Sequence, residues 1–502
     1  MGHLFVAQGD LTKLACDALV IPCDTAFNVN KVWADVLPAG LPVGDRDDWL
    51  RLWHDPTGSG VVELPPNAGR RVVAVVTVDG PAEPADVVDR IWQAFAHVSA
   101  GLAPGQGRHV ALVGIPLVGT GHGGLADRRG EVIDELLSRH RSTPLDVDLA
   151  LIVHDRRDFA AVQMRRRPQA DWPDLDPALI ADADRLGELA GSGQLSLFLG
   201  AGVSTPVGLP VWWQLLDELA EAAGPNHPSH SLPPEDAATD IVAALGERYE
   251  RKIQELLDVP RHAVGHALLA GLRVKQMVTT NFDPCMELAL EPVLRSEFRV
   301  LVRQLADTSQ PWLLKLNGDI KQPRTVVLTR EDFQKQRDES AALRGVVQGL
   351  MLTSHLLFVG FSLTDESFLE LAAAVSRVRA AADVAEVPKA GTALALTKEA
   401  AGRAGYTELH MISMLDEDDR PEAARLMEIF LDRLSWAAAA THDLAVEYLL
   451  DDRYASGLSE PDRALREVLS GFMANASSEA KSSPGWSRVA AALKSLGAEL
   501  PQ

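Results

Sequence analysis

Four short stretches carry the polar groups of chemical interest: Gly200-Ala201-Gly202-Val203-Ser204, Asn281-Phe282-Asp283, Asn317-Gly318-Asp319 and Gly360-Phe361-Ser362-Leu363-Thr364-Asp365. Each follows an apolar run of strand character. Gly200 and Gly202 leave room for backbone to approach a ligand, and free backbone N–H groups at such a turn attract a phosphate anion. The amides, hydroxyl and carboxylates of the other three stretches can hold and orient a polar ligand by hydrogen bonding. Each stretch also has a plainer reading. Asn-Gly is an ordinary turn dipeptide, and Asp283 and Thr364 suit helix N-caps. Four such strand ends in one sheet favour a shared cleft over four separate caps, because open α/β sheets bind ligands at the carboxyl ends of their strands.

The elements that must position these groups are visible in the apolar pattern. LSLFLG, VKQMVTT, WLLKLNG, TVVLT, HLLFVGF, GTALALT and ELHMISM read as strands. VWWQLLDELAEAAG, PEDAATDIVAALGERYERKIQELLDV and HAVGHALLAGL form a helical insertion after the first of them. Apolar strands alternating with helices predict a mostly parallel sheet covered on both faces. The same alternation fills the first part of the chain, where LFVAQ, DALVIPC, RRVVAVVTV, HVALVGIPLV and LDVDLALIVH are the strands. RRRPQADWPDLDPALIADAD is rich in Pro and acids, as linkers are. The spacing therefore predicts an α/β domain over 1–165, a linker over 166–184, a second α/β domain over 185–417 and a helical region over 418–502. Within the last, EPDRALREVLSGFM is amphipathic at helical spacing.

Bulk composition narrows the function classes. The 502 residues suffice for about two to four domains, each with its own core. A hydrophobic content of 46% places the chain among globular proteins. The net charge of −22 repels phosphate backbones, and the one basic run, MRRRP at Met164–Pro168, reads as a solvated linker edge. No direct nucleic-acid partner is expected. Cys16, Cys23 and Cys285 form neither a disulfide framework nor a C-x-x-C pair, so a cytoplasmic chain without a cysteine metal site is expected. No apolar run has the length of a membrane span, and the N-terminus lacks a signal-peptide pattern, so no membrane association is expected.

In this order, GAGVSTPVGLP, TTNFD, KLNGD and FVGFSLTD resemble the sirtuin-type NAD-binding domain, above all its bacterial branch in Thoeris-type anti-phage NADases. The likeness covers about residues 185–415. It implies a Rossmann-like parallel sheet with a helical insertion, NAD as substrate, and cleavage to nicotinamide and ADP-ribose without a metal. The family's pyrophosphate and ribose loop falls on Gly200, Ala201, Gly202 and Ser204. Its nicotinamide-ribose residues fall on Asn281 and Asp283, and its adenosine-side loop on Gly360 and Ser362, with Asp365 beside them. Asn281, Asp283 and Asn317 are thereby the candidate catalytic residues.

Two departures from that pattern bear on function. The four-cysteine zinc module of sirtuin deacylases is missing, which disfavours a protein deacylase and favours plain NAD hydrolysis. The family's K-[IL]-H-G-D keeps a His as general base, and here that slot is Asn317. A positioned base contributes a factor of ~10²–10⁴, whereas Asn only orients the same hydroxyl. The resemblance thus implies an NADase whose turnover is impaired, either a natural low-activity variant or an engineered near-isosteric one. The competing class is a non-catalytic NAD or ADP-ribose-binding module.

QGDLTKLACDALVIPCDTAF and LVGIPLVGTGHGGL are similar to macrodomains, which bind ADP-ribose, over about residues 5–155. In that family the Asp of the opening motif, here Asp10, contacts adenine. The loop holding Gly119, Gly121, His122 and Gly123 could cradle a diphosphate. The family's N-A-A-N is replaced by Pro22-Cys23-Asp24-Thr25, so binding or sensing is expected rather than ADP-ribosyl hydrolysis. The combined expectation is an anti-phage effector that depletes NAD. It would be gated by a nucleotide-derived signal at the N-terminal domain or by contacts within a homo-oligomer.

Overall fold

The computed structural model describes residues 2–500 except 26–28, 38–59, 68, 78–82, 106, 122–123, 228–229, 231, 296, 303–308, 340, 364–371, 374, 379–388, 404–408 and 442. Two compact units make up the chain. The first comprises Met1–Gly105, His109–Leu175 and Ser435–Gln502, and the second Gln106–Arg108 and Asp176–Leu434.

The first unit is built on six strands: β1 (Leu4–Gln8), β2 (Ala18–Cys23), β3 (Val61–Asn67), β4 (Arg70–Val76), β5 (Leu112–Ile115) and β6 (Asp148–Val153). They lie in the order β1-β6-β5-β2-β4-β3, with β3 antiparallel to β4 and all other pairs parallel. β3 was not anticipated, because VVELPPN carries Pro65 and Pro66. An edge strand tolerates them, since one side of it needs no ladder donors. The helix Pro84–Ser99 turns Val87, Val88, Ile91, Trp92 and Phe95 into the core. The C-terminal segment completes that core with Tyr448, Leu449, Tyr454 and Leu458.

The expected linker is packed rather than solvated. Arg166 is buried, its guanidinium lying 4.1 Å from the Trp172 ring and donating to Leu4 O at 3.0 Å. Trp172 and Leu175 are buried too. Within the MRRRP run Arg167 is exposed while Arg166 is not: stacking on an aromatic face lets its guanidinium be buried. The helix Pro177–Gly191 starts within the same stretch, and the Asp176 carboxylate caps it by accepting from Ala178 and Leu179 N–H.

The second unit has seven strands, β7 (Leu195–Leu199), β8 (Gln276–Thr279), β9 (Arg299–Leu301), β10 (Trp312–Lys315), β11 (His355–Val359), β12 (Gly391–Thr397) and β13 (Leu409–Leu415). Their order is β13-β12-β11-β7-β8-β10-β9 and every pairing is parallel. Between β7 and β8 the helices Trp212–Ala223, Pro234–Leu245, Tyr249–Leu257 and Val264–Gly271 form the expected insertion. Its apolar faces cluster with Phe282, Ile320 and Leu328, so the insertion packs directly on the loops after β8 and β10.

TVVLT, expected as a strand, is not in the sheet. Val326, Val327 and Leu328 are buried, but their chain is satisfied elsewhere. Val327 N–H donates to Asn317 O at 2.8 Å, and Leu328 and Thr329 N–H donate to the Asp332 carboxylate. The edge position belongs instead to β9, a three-residue strand too short to show a period. Among the described residues, no helix is long and apolar enough to cross a membrane.

Candidate functional site

The four polar motifs stand at the carboxyl ends of four neighbouring parallel strands, β11-β7-β8-β10. Val359 pairs with Leu199, Leu199 with Thr279 and Thr279 with Lys315, so Gly360, Gly200, Thr280 and Leu316 are the first residues beyond the ladder. Asn281 and Asn317 each follow one position later.

The glycines of the first and fourth motifs press against one another. A Cβ on Gly200 would lie 2.6 Å from Gly360 O, and one on Gly202 would lie 2.9 Å from Gly360 Cα. A Cβ on Gly360, at φ +65°, would collide with Val203 N. Gly202 N–H donates to Gly360 O at 2.9 Å and Gly200 N–H to Val359 O at 3.0 Å. These glycines therefore serve loop-to-loop approach. Ala201 N–H, in contrast, has no acceptor among the described residues. Ser362 is exposed beside Gly360. Asp365 and Thr364 lie outside the described residues.

Behind the glycine loop lies a closed polar network. Ser204 is buried and its hydroxyl donates to Asp283 Oδ2 at 3.0 Å. Asn281 Nδ2 donates to Gly200 O at 3.1 Å and to Ser204 Oγ at 3.2 Å. The second Asp283 oxygen accepts from Cys285 N–H at 3.0 Å, at the start of the helix Cys285–Leu294. Asp283 lies one residue before the N-cap Pro284, so it is not the cap residue, but it satisfies the first helical N–H and also bonds Ser204. Asn281 Oδ1 is buried and has no hydrogen-bond partner among the described residues. A buried acceptor without a donor is costly and marks a place where a ligand or water completes the bonding.

His266, on the helix Val264–Gly271, closes the network from the far side with Nε2 at 3.4 Å from Ser204 Oγ. Burial brings its pKa down to about 4 against the pull of Asp283, so the ring is neutral. Ser204, His266 and Asp283 superficially resemble a hydrolase triad, but the protons run the wrong way. The Ser204 proton goes to the carboxylate, and His266 Nδ1 already accepts from Ala263 N–H at 3.3 Å. Nucleophilic serine chemistry is excluded on that geometry. His266, Asp283 and Cys285 also lie close enough to enclose a cation. Their donor atoms are already engaged, and burial pushes the Cys285 thiol up, against the thiolate a metal requires.

Lys315 ties the second and third motifs together from beneath. Its ammonium is fully buried and donates to Phe282 O, Asp283 O, Glu287 Oε1 and Asp319 Oδ1 at 2.6–3.1 Å. Burial opposes that charge, but Glu287 and Asp319 outweigh it and hold the ammonium above the ordinary lysine range. Asn317 is half-buried, and its Oδ1 accepts from Gln336 Nε2 at 3.2 Å. Gln336 also donates to Leu316 O, so its amide is oriented with nitrogen inward. Asn317 Nδ2 makes no hydrogen bond among the described residues and is the group the loop offers as a donor. Gly318 sits at φ +99° with Thr325 O where a Cβ would go, so the Asn-Gly turn is real as well.

His266, Lys315 and Gln336 escaped the sequence reading. Lys315 left a signal, a charged residue at the end of an otherwise apolar strand. His266 left little, because a histidine in an apolar helix reads as core.

Residues 275–404 match a family model described as a SIR2-like domain. That stretch holds Asn281, Asp283, Lys315, Asn317 and Gly360. The NAD(+) hydrolase ThsA of Bacillus cereus (strain MSX-D12) is 31% identical over 202 residues, 37% of this chain and 40% of that protein. ThsA of Enterococcus faecium is 28% identical over 201 residues, 36% of this chain and 40% of that protein. Defense-associated sirtuin 2 of Bacillus subtilis is 24% identical over 204 residues, 38% of this chain and 20% of that protein. The chain thus spans 40% or less of the length of these relatives.

In the first unit, the residues expected to line a macro-like ligand site make local contacts. Asp10 Oδ1 accepts from Thr12 N–H at 2.9 Å and from Thr12 Oγ1, capping the turn Leu11–Lys13. Gly119 and Gly121 flank Thr120, whose carbonyl accepts from Arg129 Nη2 at 3.1 Å. Gly123 and His122 lie outside the described residues.

Proposed function

We propose that the SIR2-like unit is an NAD glycohydrolase, adding water across the nicotinamide–ribose bond to release nicotinamide and ADP-ribose. The observation that carries this reading is Asn281 Oδ1, a buried acceptor without a donor beside a glycine loop at the carboxyl edge of a parallel sheet. The names of the ThsA relatives as NAD(+) hydrolases support it. As the bond breaks, nicotinamide leaves with the electron pair as a neutral molecule and positive charge develops on the ribose. The work is positioning and electrostatics. Asn281 Oδ1 accepts a hydrogen bond from a ribose hydroxyl or the attacking water. Asn317 Nδ2 donates to an oxygen of the same groups but cannot take the proton that water must lose. Turnover is accordingly slow.

Nicotinamide release without any acylated peptide tests the proposal. Asn281→Ala is expected to lower it by about 10²-fold or more, and Asn317→His to raise it by ~10²–10⁴. No release from either the native chain or the Asn317→His variant would sink the reading. One observation favours a second reading, an NAD-binding module without turnover: the acceptor of Asn317 is already held by Gln336. That reading predicts NAD binding with no gain in Asn317→His.

The same proposal covers the rest of the chain. The N-terminal unit serves as a macro-like sensor of an ADP-ribose-type nucleotide, and the protein acts in the cytoplasm as a homo-oligomeric anti-phage effector that depletes NAD. Mass spectrometry of ligands released from the natively purified protein checks the sensor: an ADP-ribose derivative is expected.

A further inference from the structure

Several groups behind Asn281 act in only one sense, and that fixes the protons on His266, Ser204 and Asn281. A backbone N–H can only donate, so His266 Nδ1, which receives Ala263 N–H at 3.3 Å, carries no proton. The neutral ring therefore holds its proton on Nε2, facing Ser204 Oγ at 3.4 Å. At the other end a carboxylate and a carbonyl can only accept. The Ser204 proton must point to Asp283 Oδ2, and Asn281 Nδ2 must serve Gly200 O. Ser204 Oγ is then left with two lone pairs and two donors for them, His266 Nε2–H and Asn281 Nδ2–H. The hydroxyl has no other orientation that satisfies these three neighbours.

We infer that His266 is a positioning residue for the NAD site: as the Nε2–H tautomer it locks the Ser204 hydroxyl, which in turn holds the Asn281 amide with its oxygen toward substrate. The inference rests on the NADase reading for its kinetic arm and on geometry alone for its spectroscopic one. The imidazole is buried behind Ser204. Its role is to remove the freedom of a hydroxyl that would otherwise be able to turn away from Asn281 and release the amide. The depressed basicity of the ring agrees with this role, because a protonated Nδ1 would confront Ala263 N–H.

Nitrogen-15 spectroscopy of the histidine side chains at neutral pH tests the tautomer in the intact protein. A single protonated nitrogen, Nε2, is expected for His266, and a proton on Nδ1 overturns the inference. Kinetics in the full chain tests the consequence. His266→Leu removes the donor, and kcat for nicotinamide release should fall about tenfold, the factor that one lost hydrogen bond represents, with KM little changed. His266→Gln, which places an amide N–H near the Nε2 position, should recover most of that loss. Equal kcat in both variants and the native protein overturns the inference, as does an equal loss in both variants when each is as folded as the native chain by circular dichroism. If the native chain releases no nicotinamide, the NADase reading fails separately. The nitrogen-15 spectrum needs no turnover and then decides the inference by itself, a proton on Nε2 upholding it and a proton on Nδ1 overturning it.

Discussion

At the scale of single residues, chemistry and architecture are divided among neighbours. Asn281 carries the buried amide oxygen that lacks a donor, its Nδ2 donates to Ser204, Ser204 donates to Asp283, and His266 lies against Ser204. Ser204, Asn281 and Asp283 were legible because they sit in short motifs at strand ends, whereas His266 lies seventeen residues before Asp283 on a helix whose other residues are core. The network has a pH signature. His266 takes a proton near 6.5 when unfolded but only near 4 when folded, so between these values the unfolded chain binds more protons. Stability is full above about pH 6.5 and falls as pH drops toward 4, by about 3 kcal/mol from this residue. His140, likewise brought down to about 4 by burial, acts in the same direction. The urea midpoint should therefore fall through this window, and His266→Gln should flatten, but not abolish, the fall.

At the scale of elements, the parallel strands were readable wherever an apolar run of normal length ended in a polar loop. TVVLT misled because its β-branched residues are buried without a ladder, and β9 was missed because two of its three residues are exposed. Both errors share a cause: burial and pairing usually coincide, and around the Asn317 loop they do not. Beneath that loop, Lys315 pins the chain after β8 to the chain after β10. Lys315→Met would leave Glu287 and Asp319 without their buried cation, at a cost of about 3–5 kcal/mol. Denaturant unfolding should show the loss. Hydrogen exchange should also speed up at the amides of Asp319 and Lys321 and at Cys285, while the Pro84–Ser99 helix in the other unit is unaffected.

At the scale of the molecule, what the sequence concealed is the return of the chain. A helical C-terminal region is easy to see, but nothing in its period says that Tyr448, Leu449, Tyr454 and Leu458 belong to the core of β1–β6. Tyr454 is tied there by its hydroxyl, which donates to Asp158 Oδ1 at 2.7 Å, and Asp158 in turn receives Arg129. A chain ending at Leu434 should lose cooperative unfolding of the first unit, seen as rapid proteolysis within residues 1–175, while β7–β13 keep their exchange protection. The return also sets an order of events on the ribosome. Residues 176–434 emerge complete while the sheet that precedes them still waits for its last aromatic residues. The later-coded unit is therefore able to fold first, inverting the usual N-to-C sequence of cotranslational folding. A nascent chain stalled after the second unit would carry β7–β13 already paired while the first unit still lacks the aromatic residues that close its core, so only the final stretch of translation makes the first unit resistant to proteolysis.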